Sequence, residues 1–397
     1  MKYLFSKRRW QYVTSQYIFC LFFTITLAAC SSNEETKNKS IAKTAFISVK
    51  PSYATGFSID DYGAYQVLHI LQPFNDQADT LSYLLHARGN KKPKAFGHLP
   101  AIATPINKLI VQSTTHVAFV AEMNAIDKLV GMTATQFIYN PKARERISTG
   151  QIVEVGEGEL LNQEQVLTLQ PDALMVSGFS ASSYHKNYKT LIETGVPVLV
   201  NSEWMEQSML GRTEWIKVFG YLLGNPKLAN ERFEAIETQY LNYAEMGRAA
   251  KEKPLVIGGL PYKGSWSIAG AKSYVAQLLT DAGATWNWAN DTSSVSLQMD
   301  FESVYPMGLK ADYWLRVGGI TSKEELLAID QRLADFKAYQ NGNLYNNNKR
   351  LTADGLGNDY WESGIVKPHR ILGDIIKIIH PDLLPEYELF FYQKVGN

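Results

Sequence analysis

Two glutamates stand in copies of one phrase, and their type and spacing point to recognition by charge rather than to bond-making. The first copy reads Asn162-Gln163-Glu164-Gln165-Val166-Leu167 and continues Leu169-Gln170-Pro171-Asp172-Ala173-Leu174-Met175-Val176. The second reads Asp300-Phe301-Glu302-Ser303-Val304-Tyr305 and continues Leu309-Lys310-Ala311-Asp312-Tyr313-Trp314-Leu315-Arg316-Val317. In each, a Glu opens a short helix, a turn carries Asp, and an apolar strand follows. A two-fold repeat at this distance predicts two similar lobes, each presenting an acid in an equivalent place. Two lobes with a cleft between them are an architecture for gripping something. A first-turn acid is also favoured by the helix dipole alone, and Glu157 and Glu159 compete with Glu164 for the first position.

Signatures of covalent chemistry are missing from the chain. It has no G-x-S-x-G elbow, no G-x-x-x-x-G-K-[ST], no H-E-x-x-H and no complete G-x-G-x-x-G; Gly156-Glu157-Gly158 is a fragment. The seven histidines are scattered at 69, 86, 98, 116, 185, 369 and 380. A bare Zn²⁺ or Mn²⁺ site needs several His or carboxylates converging on one ion, and no such cluster is visible. No catalytic residue and no resident metal are expected.

The elements that must position these residues alternate between strand and helix. Lys108-Leu109-Ile110-Val111-Gln112-Ser113 is a short apolar run of the buried parallel type, with Thr114 and Thr115 able to cap a helix after it. Val130 to Thr133, Asp172 to Ser177 and Val196 to Asn201 continue the series. Ser202 is placed to cap a helix ending near Gly224. Asn225-Pro226 then caps a long helix, with Leu228, Phe233, Ile236, Tyr240 and Ala244 at helical spacing. At ~1.5 Å per residue it is on the order of 35 Å long, enough to span two lobes. Pro254 to Leu260, Ala271 to Ala282 and Asp312 to Val317 repeat the scheme, and Pro368 to His380 closes the chain. Alternation of this kind predicts doubly wound α/β lobes. Before them, Ala64 to Ile70 alternates like a half-buried strand, and Leu81 to His86 can pair with it as a β-hairpin extension.

The N-terminus reads as a targeting segment. Lys2, Lys7, Arg8 and Arg9 precede an apolar run from Tyr17 to Ala29, too short for a comfortable membrane span. Leu27-Ala28-Ala29-Cys30 resembles a bacterial lipobox, in which the Cys becomes the lipidated first residue. Ser31 to Ser40 holds no apolar residue and reads as a tether. The other cysteine, Cys20, lies in the removed segment, so the mature fold has no disulfide. Four of the 39 basic side chains lie there too, leaving 35 against 39 acidic, a net of −4. That balance argues against nucleic acid.

The order of lipobox, Leu109 to Thr115 turn, Asn162-x-Glu164-x-Val166-Leu167-x-Leu169-x-Pro171-Asp172, long helix and second Glu phrase resembles the substrate-binding proteins of ABC importers for iron-siderophores, haem and cobalamin. The resemblance covers roughly residues 108–380, and the second copy departs from it at Met307 and in lacking a Pro before Asp312. It implies two Rossmann-like lobes joined by one long rigid helix. The expected domains are a signal peptide at 1–29, a tether at 30–44, a β extension at 45–107, a first lobe at 108–225, an interlobe helix at 226–252 and a second lobe at 253–397. It also implies a membrane-facing role outside the cytoplasm (periplasm or exterior), a lipid anchor at Cys30, and a monomer that docks on an ABC permease dimer and its ATPase through Glu164 and Glu302.

Such a design binds its ligand with loops at strand ends. Four loops carry suitable side chains: Ser113 to His116, Ser177 to His185, Tyr262 to Trp266 and Asn358 to Glu362. The expected ligand-binding residues are Thr115, His116, Trp204, Arg212, Tyr262, Trp266, Arg316 and Trp361. Aromatic rings with a few Arg suit a bulky anionic ferric chelate or a corrinoid. A cobalamin or haem carrier and, in a different class, a cell-envelope α/β hydrolase are the alternatives.

Overall fold

A computed structural model describes residues 46–77 and 79–396. The signal segment, Cys30 and the tether lie outside the described residues.

The first lobe is built on a five-stranded parallel sheet, β6 (Leu109–Val111), β7 (Leu129–Met132), β8 (Val153–Glu154), β11 (Ala173–Ser177) and β12 (Val198–Asn201), in the spatial order β12-β11-β6-β7-β8. Its strands are apolar runs because both faces are covered. Leu109, Val111, Ala173, Met175 and Leu199 face one core, while Ile110, Leu174, Val176, Val198 and Val200 face the other. Helices α1 (Thr114–Glu122), α2 (Pro141–Ser148), α3 (Gln163–Leu169) and α4 (Ala181–Glu193) are the crossovers, and a small hairpin of β9 (Gly156–Glu157) and β10 (Leu160–Leu161) precedes α3.

Before this lobe, β1 (Ile47–Val49), β2 (Phe57–Asp61), β3 (Tyr65–Ile70), β4 (Leu81–Ala87) and β5 (Ala101–Thr104) form a sheet in chain order. The predicted hairpin is its centre: β3 and β4 pair antiparallel from Tyr65↔His86 to Ile70↔Leu81. The sheet is larger than a hairpin, and it is no appendage. Phe57, Ile59, Leu68, Ile70, Tyr83, Leu85 and Ile102 share one core with β6 and α1. Two buried acids pin its leading segment. Glu214 accepts from the backbone N–H of Ser52, Tyr53 and Ala54 at 2.7–2.9 Å. Glu206 accepts from Thr55 and Gly56 and from Trp215 Nε1.

The helix expected from Ser202 to Gly224 is two, α5 (Met209–Glu214) and α6 (Ile216–Leu222), and its cap is Ser208. The stretch 203–206 turns away because Glu203 and Glu206 are drawn to Arg212 and to the N-terminal backbone. Asn225 then caps α7 (Pro226–Ala249) through its side chain, with Pro at the first turn. Tyr240 and Arg248 of α7 hold buried Asp281, at 2.7 and 2.5 Å.

The second lobe pairs β13 (Val256–Gly258), β17 (Tyr313–Leu315) and β18 (Leu344–Asn346) in parallel, with β19 (Gln393–Lys394) antiparallel at the edge. A satellite antiparallel sheet holds β14 (Pro261–Tyr262), β15 (Ser265–Ile268) and β16 (Leu297–Met299). Helices α8 (Tyr274–Asp281), α9 (Phe301–Gly308), α10 (Lys323–Ile329), α11 (Lys337–Gln340), α12 (Asp359–Glu362) and α13 (Pro368–Ile379) complete it. Buried Asp374 of α13 accepts from the backbone of Phe390, Phe391 and Tyr392, so the C-terminal segment is tied down as the N-terminal one is.

The sequence repeat is a structural repeat. Asn162 caps α3 and Asp300 caps α9, each accepting from the N–H three residues on. Asp172 accepts from Asn107 and Lys108 at the entry to β6, and Asp312 accepts from Leu255 at the entry to β13. The strand after each Asp pairs in parallel with the strand so braced. Among the described residues no helix is long and apolar enough to cross a membrane.

Candidate functional site

Between the lobes lies a cavity of about 670 Å³, within the size range of small-molecule sites. The first lobe supplies Trp204 to Gln207, the stretch that leaves β12. The second lobe supplies the end of β13, the start of α8, Trp286, Ser294 to Ser296, Arg316 and the rings of Tyr360 and Tyr392. A smaller recess of about 320 Å³ lies between the ends of β6 and β7 and Leu356, Asn358 and Trp361 of the second lobe.

Arg316 is the cation of the larger cavity. It follows β17 with a left-handed φ of +59°, a conformation a non-glycine residue holds only where its surroundings impose it. Its guanidinium lies 5.4 Å from the ring centroid of Trp361, which lines the smaller recess. The ionisable side chains around it are not acids but Tyr360, Tyr274 and Tyr392. Among the described residues no carboxylate pairs with it, so a permanent positive charge faces an aromatic cleft.

Arg212 is placed differently. Its Nε and Nη2 donate to Glu203 Oε2 at 2.9 and 2.8 Å, and its guanidinium stacks 4.5 Å from the Tyr274 centroid. Glu203 Oε1 accepts from Thr115 Oγ1 at 2.9 Å. Thr115, Glu203, Arg212 and Tyr274 thus form one network from α1 to α8, in which the charge of Arg212 is already matched. The Trp204 ring packs against Phe179 with centroids 5.1 Å apart, and among the described residues its buried Nε1 has no partner.

Five expected residues line neither recess: Thr115 and Arg212, engaged in the network just described, and His116, Trp266 and Tyr262. His116 is buried on the core face of α1 beside Phe219, and burial lowers its pKa to about 3. Trp266 sits in a strand rather than a loop. The two-residue alternation of β15 sends Trp266 and Ile268 into the second core, where Trp266 packs with Trp314 and Phe336 and donates to Gly258 O. Tyr262 is 72% exposed at the tip of the β14–β15 hairpin. Tyr360 belongs to the expected 358–362 loop and does line the larger cavity, whereas Glu203, Tyr274 and Tyr392 were not legible as site residues, because each becomes one only through contact with segments remote in the chain.

The lobes meet at a second place besides α7. Ile365 and Val366 are part of the first lobe's core, and Glu362 accepts from the backbone N–H of Tyr139 at 2.6 Å and Asn140 at 2.9 Å. Burial, against the pull of those two donors, pushes the Glu362 carboxyl up to about 7. A carboxyl raised in the folded state keeps its proton there while the unfolded chain has lost it. Stability therefore falls as pH rises from about 4.5 to about 7 and is level above. At about 1.4 kcal/mol per pH unit the loss is on the order of 3 kcal/mol. Glu362→Gln removes this slope, read by denaturant unfolding at pH 5 and pH 8. Identical slopes in both proteins would refute the assignment.

Residues 109–351 match the model of the periplasmic binding protein family, well over half of the chain. The chain belongs to the periplasmic binding protein family. Several solved structures share the fold at low identity. A periplasmic haem-binding protein of Pseudomonas aeruginosa superposes with a TM-score of 0.55 at 19% identity, over 74% of this chain and 99% of that one. CeuE of Helicobacter pylori with Ni(II) bound superposes with a TM-score of 0.54 at 15% identity, over 72% and 88%. An uncharacterised lipoprotein of Methanocaldococcus jannaschii is 21% identical over 95% of both chains. The family resemblance seen in the Glu phrases is thereby met, and the fold is the expected pair of α/β lobes joined by a helix with a β extension in front.

The two matched acids of this periplasmic binding protein occupy equivalent first turns. Glu164 is exposed on α3, and Glu302 is 72% exposed on α9. They differ in one respect: Glu302 Oε1 accepts from Arg332 at 2.7 Å.

Proposed function

We propose that this chain is the solute-capturing lipoprotein of an ABC importer, and that its cargo is an iron-siderophore-type chelate. The observation that carries this reading is the aromatic interlobe cavity with Arg316 unmatched by any acid. A bulky anionic ligand covers the rings of Tyr274, Tyr360 and Trp204 and supplies the missing negative charge. Haem and cobalamin are the nearest alternatives, being bulky ring systems that such a cavity also suits. The hydrolase reading has less support: of the four lining serines, two have structural duties, Ser273 Oγ donating to Gly270 O and capping α8 and Ser267 Oγ accepting from Gln298.

Trp204 and Trp286 line the cavity and report on its filling. Saturable quenching of tryptophan fluorescence is expected on titration with ferric siderophores, haemin or cyanocobalamin. Absence of quenching by all of them would remove the carrier reading.

The lipid anchor at Cys30 rests on the lipobox and on the description of two relatives as lipoproteins. Cys30→Ser yields an exported protein that partitions into the aqueous phase on detergent extraction; a variant that stays with the lipid phase contradicts the anchor.

A further inference from the structure

The N-terminal sheet lies outside the stretch that matches the family, yet it reaches the cavity. The loop from β3 to β4 runs over the first lobe and is held at four points. Phe74 is buried in the α4-side core with its ring 5.3 Å from Tyr184. Pro73 O fits against Gly178 so closely that a Cβ there would stand 1.7 Å from it. The Asn75 N–H donates to Phe179 O at 3.3 Å, and Asp76 Oδ1 accepts from Ala181 N at 3.0 Å, in the first turn of α4. Between these anchors Gln72 and Asn75 line the cavity beside Trp204. Both side chains are exposed, and among the described residues neither carboxamide has a protein partner. They place two unengaged carboxamides beside Trp204 in a cavity that Ser294 to Ser296 of the second lobe also line.

We propose that the N-terminal extension is a working part of the binding site, and that Gln72 and Asn75 select ligands by hydrogen-bonding oxygens on their periphery. The inference rests on the carrier reading above. A carboxamide both donates and accepts, so two of them discriminate by the placement of amide, hydroxyl or carboxylate oxygens rather than by charge, which Arg316 supplies. The anchoring explains the position: Phe74, Gly178 and the cap on α4 hold the loop in the geometry that two hydrogen bonds need. A sheet sharing the first lobe's core has the rigidity to do so.

The test is the double variant Gln72→Ala/Asn75→Ala in the full chain, titrated by fluorescence quenching with a ferric hydroxamate, a ferric catecholate, haemin and cyanocobalamin. Both side chains are exposed, so the variant keeps the wild-type melting temperature. Affinity for the best-binding probe falls about tenfold, as for two lost hydrogen bonds, while the weakest binders change less. Gly178→Ala, which displaces the loop but leaves both amides in the chain, lowers the same affinity. A double variant that matches wild type on every probe overturns the inference and leaves the carrier reading standing. A wild-type chain that binds none of the four removes both.

Discussion

Reversing charge at both matched acids, in Glu164→Lys/Glu302→Lys, abolishes uptake of the cognate ligand while leaving its affinity for the isolated protein unchanged. Both side chains are exposed and stand in first turns of equivalent helices, away from the cavity lining. Close interfacial charge pairs have coupling energies of about 1.5 kcal/mol and upward, so losing two weakens docking on the order of 100-fold or more. The single variants are unequal. Glu302 already accepts from Arg332, and would have to share or release it if it docks as the family resemblance implies. An exposed pair of this kind is worth about 0–1 kcal/mol, so the release is cheap but not free. Glu164→Lys alone is therefore the more damaging. Uptake that persists at the wild-type rate in the double variant, measured with labelled ligand in cells, would remove the docking role of these residues.

Arg316→Gln lowers ligand affinity about 30- to 100-fold, the cost of about 2–3 kcal/mol for a charge-assisted hydrogen bond in a partly desolvated site. The fold is little disturbed, because the Arg316 guanidinium holds no carboxylate in place. Arg212→Gln behaves in the opposite way. It strands Glu203, which is buried and among the described residues keeps only the Thr115 hydroxyl, so the loss appears as destabilisation. Fluorescence titration and thermal melting of the two variants separate the roles. An Arg316→Gln protein with wild-type affinity would show that the cleft does not select for negative charge.

That contrast marks the limit of what residue type discloses. Both arginines read as cleft cations, one after a strand and one in a helical pattern. What distinguishes them is a single acid, Glu203, whose distance to Arg212 depends on the turn at 203–206. Trp266 and Trp361 differ for a related reason. Alternation along β15 buries the first, while the second is 47% exposed at the smaller recess because α12 crosses back onto the first lobe.

The predicted hairpin shows the same boundary from the other side. Alternation of apolar residues located β3 and β4 and their partnership, since both are consequences of the pleat. It did not disclose that the β3–β4 loop enters the cleft. That depends on Phe74 finding Tyr184 and on Pro73 finding Gly178, neither of which is near it in the chain.

From the sequence alone came the two-lobe plan, the long helix begun at Pro226, the capped phrases around Glu164 and Glu302, and the family. All of these arise from interactions within a few residues: side-chain caps, strand and helix periodicity, and a repeated local pattern. Tertiary structure alone decided which aromatic faces the cavity, which arginine remains unmatched, and that the N-terminal sheet supplies a wall. A cleft is assembled from segments far apart in the chain, and its charge balance and shape exist only once those segments have packed.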